Sequence, residues 1–305
     1  MIWTIALLVI AGVAAGPVLA NVMQTWARRL AGWSMLVAVV AGADFALSGN
    51  DPVFRMVGIC CVLLGGMKGL VYAEWAGEHR LTVTRYCVFA FCWFGMDPAS
   101  FRTRRKGLSW MADVRLGLLL MLAGTLGAWL VWLMGWHQIL IMFMPMSLGF
   151  HFGALRILKG GLRAVGFPVR TLFPNVLEAQ GIGDFWSRRW NVGYSQMMQR
   201  LIGRPVEALA GANAGMMAVF VTSGVLHELA ITLPVRSGFG LPTLYFILHG
   251  ILALLEKRWG RPCGKIPALL AVGLPLGWLF PSAFQQEVIA QCLGVFDLLK
   301  RLLAY

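Results

Sequence analysis

His227 and Glu228 stand side by side inside an apolar block, Leu209 to Leu233. Ionisable side chains are expensive at membrane depth and mark functional positions there, unless they only hydrogen-bond a neighbouring helix. On a helix, Ser223, Gly224 and Phe220 fall on the His227 side, at i−4, i−3 and i−7. Serine and glycine at those positions predict room for a substrate chain beside the imidazole. Imidazole suits general-base work because its ordinary pKa is near neutral. Glu228 points about 100° away and is expected to orient another helix or a polar loop.

The second chemical feature lies in a polar stretch, Lys159 to Pro205, between apolar blocks. It contains Gly183, Asp184, Phe185, Trp186, Ser187, Arg188, Arg189, Trp190 and Asn191. One reading is an interfacial belt, with tryptophan at headgroup depth and arginine on lipid phosphate. The other is a lip that holds an anionic, partly aromatic ligand: Arg188 and Arg189 fork onto phosphate oxygens while Trp186 and Trp190 stack on a flat base. Four further histidines carry weaker signals. His151 and His249 lie in apolar blocks without an acidic neighbour, and His79 sits at a block end where solvation explains it; His137 reads the same way. The six cysteines (Cys60, Cys61, Cys87, Cys92, Cys263, Cys292) form no C-x-x-C pair and no histidine stands at ligand spacing, so buried thiols are expected and no metal site.

The elements that carry these residues are apolar runs. Of 305 residues, 59% are hydrophobic and 13% charged, about half the charge of a soluble protein. Blocks of ~18 or more apolar residues can cross a bilayer as helices. They run Ile2 to Ala20, Leu30 to Ser48, Val53 to Tyr72, Leu81 to Met96, Leu116 to Gly135, Ile139 to Leu158, Leu209 to Leu233, Leu241 to Leu255, Ile266 to Phe280 and, more weakly, Val288 to Leu299. The fold class is therefore all-α: a polytopic membrane bundle of about eight to ten spans by the ~20-residue criterion, enclosing a reaction chamber. No repeat or soluble domain is visible, so residues 1–305 read as one transmembrane domain.

The net charge of +13 comes mostly from short segments between blocks, as in cytoplasmic loops, and no folded basic module for nucleic acid is visible. Arg28 and Arg29, the polar stretch, and the cluster Lys257, Arg258, Arg261 and Lys265 are expected on the cytoplasmic side, with the N-terminus outside. Strict alternation would put Arg102, Arg104, Arg105 and Lys106 outside. Leu81 to Met96 contains Arg85 and is barely long enough, so it is expected to be short, re-entrant or interfacial, which returns that cluster to the cytoplasmic side.

An aromatic–Arg–Trp–Asn segment followed one helix later by an intramembrane His-Glu resembles the membrane-bound O-acyltransferase family. The run Asp184 to Asn191 is similar to its wax-synthase-like branch, as is the basic loop Thr103 to Trp110. The resemblance covers about Arg102 to Leu255, the expected catalytic region. It implies transfer of an acyl group from a thioester, usually acyl-CoA as co-substrate with no other cofactor, to the hydroxyl of a lipophilic alcohol. By position, the family's histidine falls on His227 and its asparagine on Asn191, which makes these two the candidate catalytic residues. Trp186, Arg188, Arg189, Trp190, Ser223 and Glu228 become candidate substrate-binding residues. A multi-pass protein of a bacterial inner membrane is expected, with the Asn191 loop cytoplasmic and membrane lipids as its surroundings.

The implied chemistry has His227 take the hydroxyl proton and the alkoxide attack the thioester directly, with Asn191 hydrogen-bonded to the thioester or oxyanion. If the helix starts near Gly211, His227 lies ~24 Å along it, past the bilayer midplane. Three other functions compete. A transporter or channel would also place polar residues at mid-membrane, and would carry inverted repeats. An iron-dependent hydroxylase or desaturase would cluster its histidines, whereas the five here are scattered. An acyl-lipid-binding structural protein would need neither His227 nor Asn191 for chemistry.

Overall fold

The computed structural model describes residues 2–22, 24–77, 79–136, 139–294 and 296; His137 and the end of the Val288 to Leu299 tail lie outside them. Among these residues the chain is helical. Helices α1 (Ile2–Leu19), α2 (Thr25–Ala46) and α3 (Pro52–Ala76) are followed by the short α4 (Val83–Phe91), then α5 (Met111–Leu133), α6 (Ile139–Ser147) and α7 (Leu155–Ala164). A π turn, Leu148–Ala154, joins α6 to α7. After the polar stretch come α8 (Val192–Met198), α9 (Ala212–His227), α10 (Leu241–Trp259) and α11 (Lys265–Gly273).

Six helices among the described residues are long and apolar enough to cross a bilayer, or seven if the bent pair at the C-terminal end counts as one span. The protein is an integral, multi-pass membrane protein. This count is below the eight to ten expected. α4 has nine residues, ~13 Å at 1.5 Å per residue, so Leu81 to Met96 does not cross as a helix. The block Ile266 to Phe280 and the tail after it form broken segments bent by 79°. Large apolar side chains face outward along α5, among them Leu119, Leu122, Leu126 and Leu133. Such a continuous apolar surface fits lipid rather than water.

Two close approaches set the frame. Gly12 and Gly16 of α1 meet Gly65, Gly66 and Gly69 of α3; a Cβ on Gly12 would stand 2.9 Å from the Gly66 amide nitrogen. Small residues let membrane helices approach to backbone contact. Gly224 of α9 meets Thr243 of α10 in the same way, at 2.6 Å from its Cα. Gly224 therefore serves a helix contact and leaves no space for a substrate, unlike the expectation above.

Charged pairs tie the helix ends together. Glu74 binds Arg28 and Arg29, and Asp44 binds Arg55 and Arg236. Lys68, fully buried in α3, donates to the carbonyls of Phe89 at 2.9 Å and Gly95 at 2.6 Å. It thereby holds the turn after α4 in place, and Gly193 of α8 packs on that turn at Met96. The cysteines are not buried thiols: all six are free, Cys60 is half-buried and the other five are exposed, which on this molecule means a lipid- or loop-facing position.

Candidate active site

His227 is the last residue of α9, immediately before a π turn at Glu228–Thr232. Such turns widen a helix locally and are common at functional sites. The ring Nδ1 lies 2.6 Å from the Ser223 carbonyl oxygen. A carbonyl only accepts, so Nδ1 carries the proton and Nε2 presents a lone pair. Among the described residues Nε2 has no hydrogen-bond partner. The ring packs on Phe246 with centroids 4.5 Å apart and meets Tyr194 edge-on at 6.3 Å.

Asn191 follows a second π turn, Phe185–Arg189. Its backbone is left-handed at φ 42°, a conformation asparagine tolerates better than most residues. Its Oδ1 caps α8 by accepting from the Tyr194 N–H at 3.3 Å. Among the described residues that bond leaves the amide nitrogen as a donor without a partner.

Both residues line one cavity of about 700 Å³. Trp186, Trp190, Tyr194 and Ser223 line it as well. Among the described residues Trp186 Nε1 and the Tyr194 hydroxyl are buried without a partner of good geometry. Ser223 lies beside Tyr194, but its own proton is committed to the Val219 carbonyl at 2.7 Å. Buried polar groups normally find partners, so unpaired donors on a cavity wall mark where a ligand's acceptor atoms fit. An apolar arm of the cavity reaches Leu63, Leu64 and Met67 of α3.

At the far end the cavity wall includes Glu256, Lys257 and Arg261. Phe246, against the His227 ring, lies ten residues before Glu256 on α10, so the imidazole sits ~15 Å below this rim. The depth of His227 along α9 thus becomes the depth of a shaft opening at the end of α10. Glu256 accepts from the N–H groups of Ile182, Gly183 and Cys263 at 2.9, 3.0 and 3.1 Å. Burial works to raise its carboxyl, but these donors outweigh it and hold the pKa below the ordinary value. The bonds pin the segment carrying Trp186 to the end of α10.

Several predicted residues stand elsewhere. Neither Arg188 nor Arg189 lines the cavity. Arg189 is held by Asp184 at 2.8 Å and by the Asn175 carbonyl at 2.9 Å. Burial works to raise the Asp184 carboxyl, but the Gln180 N–H and Arg189 outweigh it and hold it low. Arg188 is exposed on the same turn. Glu228 also lies off the cavity. It accepts from Gly240 N–H, Thr243 N–H, and the hydroxyls of Thr243 and Thr232, at 3.0, 3.0, 2.8 and 2.5 Å. It fastens the start of α10 beside His227, as a residue that orients another helix. His249 is fully buried behind Trp186, with Tyr245 and Ala271 carbonyls beside its nitrogens, and does not reach the cavity. His79 is exposed. The residues missed from sequence are Tyr194, His151, Lys257 and Arg261. Tyr194 was signalled by its i+3 spacing from Asn191. The rim cations looked like an ordinary basic loop.

Residues 169–248 match the profile of the membrane bound O-acyl transferase family, and that stretch holds both Asn191 and His227. Over that stretch the chain is similar to the membrane bound O-acyl transferase family. It is 32% identical over 160 residues to probable long-chain-alcohol O-fatty-acyltransferase 2 of Arabidopsis thaliana, covering 45% of this chain and 47% of that protein. It is 29% identical over 162 residues to probable long-chain-alcohol O-fatty-acyltransferase 1 of the same plant, with the same two coverages. The long-chain-alcohol O-fatty-acyltransferase of Simmondsia chinensis matches at 28% over 131 residues, 36% of this chain and 37% of that protein. The matched stretch spans less than half the length of these relatives. Their names agree with the wax-synthase-like branch of this acyl transferase family.

Proposed function

We propose that this protein transfers a long acyl group from a thioester, acyl-CoA, to the hydroxyl of a lipophilic alcohol. The observation that carries the reading is the pairing, on one shaft-like cavity, of an imidazole lone pair at His227 with an unpaired amide donor at Asn191. The similarity to long-chain-alcohol acyltransferases supports the choice of substrates.

In this reading the anionic end of the donor rests at Lys257 and Arg261, on the cytoplasmic side, and its thioester arm descends the shaft. His227 Nε2 takes the proton of the acceptor hydroxyl. The alcohol oxygen bonds to the thioester carbon, the oxyanion takes hydrogen bonds from donors such as Asn191 Nδ2, and the C–S bond breaks. The departing thiolate recovers the proton from the His227 imidazolium, giving free thiol, ester and neutral imidazole. The apolar walls limit competition from water. A transporter would need no unpaired base opposite unpaired donors, and no internal repeat accompanies the cavity in the sequence.

The test is mass spectrometry of purified wild type and His227→Ala protein incubated with a panel of acyl-CoAs and alcohols. Ester formed by wild type and absent from the variant supports the reading. No ester from any pair, or equal ester from the variant, overturns it.

A further inference from the structure

The spacing Ser-x-x-x-His occurs at Ser223–His227 and at Ser147–His151, and both histidines line the cavity. His151 lies in the π turn between α6 and α7. Its ring is caged by Phe150, Phe173 and Trp190, with centroids 5.2, 5.0 and 5.3 Å away. Trp190 immediately precedes Asn191, so the cage places His151 beside the acyl-transfer residues.

The two pairs bond differently. His227 Nδ1 meets a backbone carbonyl, which fixes the proton on Nδ1. His151 Nδ1 meets the Ser147 hydroxyl at 3.0 Å. Four other helical hydroxyls (Thr125, Ser187, Ser223, Thr232) donate to the carbonyl four residues back. Ser147 is buried and has no such bond; His151 is the sole partner of its hydroxyl among the described residues. If Nδ1–H donated to Ser147, the hydroxyl proton would be left buried and unpaired, at a cost of about 1–3 kcal/mol. With the hydroxyl donating to Nδ1, both groups are satisfied. His151 then carries its proton on Nε2, which has no partner among the described residues. On one side the ring lines the large cavity; on the other it borders a void of about 20 Å³, room for about one water. Only the large cavity admits a substrate.

We propose that the two cavity imidazoles are held in opposite tautomers, His227 as the acceptor of a proton and His151 as a hydrogen-bond donor that holds the acyl carbonyl oxygen. The inference rests on the acyl-transfer reading and adds to it a residue that distinguishes a carbonyl-bearing ligand from one without a carbonyl.

The experiment measures binding to detergent-purified full-length protein of two unreactive CoA thioethers of equal chain length: S-(2-oxoalkyl)-CoA, which keeps a carbonyl, and S-alkyl-CoA, which lacks it. Wild type is expected to prefer the first by ~5–10-fold, the scale of one hydrogen bond. His151→Phe abolishes the preference, His151→Gln, which keeps an N–H donor, restores part of it, and Ser147→Ala lowers it part-way by unlocking the tautomer. If the Phe variant does not fold, the Gln and Ala variants decide. Wild type that binds neither compound overturns the acyl-transfer reading and this inference with it. Wild type that binds both without preference, or a preference intact in His151→Phe or in Ser147→Ala, overturns the inference alone, as does a Gln variant no different from Phe.

Discussion

His227 donates its Nδ1 proton to the carbonyl of Ser223 one helical turn back, at 2.6 Å, and this bond turns the lone pair of Nε2 toward the cavity. The bond is to backbone, so the tautomer does not depend on any other side chain. His227→Ala is expected to lower kcat for acyl transfer by ~10²–10⁴-fold, the range for a general base, with an unchanged melting temperature. A loss of activity that merely tracks a loss of folded protein would remove the base assignment.

Lys257 and Arg261 stand on the cavity rim, while Arg189 is engaged with Asp184. Replacing either rim cation by alanine is expected to raise KM for acyl-CoA by ~3–10-fold with kcat nearly constant, a loss of uniform binding. The effect should shrink as salt is added, because exposed charges are screened. Arg189→Ala should instead lower thermal stability and leave KM close to wild type. Steady-state kinetics at two ionic strengths, beside a melting curve, separate the two cases.

Glu228 satisfies three donors at the start of α10 and the Thr232 hydroxyl on its own π turn. Glu228→Ala strands them, and a loss of about 2–4 kcal/mol in stability is expected. Glu228→Gln keeps an acceptor oxygen and should lose less. Equal melting temperatures for wild type and the alanine variant would contradict this.

Gly224 touches the Thr243 backbone. Gly224→Ala must push α9 from α10, and overpacking of this kind destabilises by about 1–3 kcal/mol. Because His227 and Phe246 sit on the same pair of helices, activity should fall with stability, whereas Gly277, with open space around it, should accept alanine without loss.

Glu256 is held below its ordinary carboxylate pKa by three backbone donors. A depressed acid stabilises the fold fully above its unfolded pKa, ~4.3, and that contribution disappears as pH falls through the lower folded value. Thermal stability should therefore drop on acidification below about pH 4, and the drop should be smaller in Glu256→Gln. A pH profile of melting that is identical in the two proteins would rule out the role.

The sequence by itself determined the class of the molecule and marked His227 and Asn191 as its two candidate reactive residues. Apolar runs such as Ile2 to Ala20 have one stable solution in a bilayer, a helix, because every backbone polar group must be satisfied internally. His227 was legible because an ionisable group is costly at that depth, and Asn191 because it closes an aromatic–arginine run. Only the tertiary structure decided which neighbours those residues keep. Arg188 and Arg189 have the right chemistry for phosphate, yet direction is a property of the fold: the π turn aims them away from the cavity and Asp184 holds one of them. Gly224 looked like room for a substrate until α10 filled it. Lys257 and Arg261 came to the site from a basic loop whose composition did not distinguish them. Ser147 and Ser223 share a spacing with their histidines, but whether a hydroxyl or a carbonyl meets the ring depends on how each helix turn is wound, and no one-dimensional pattern records that.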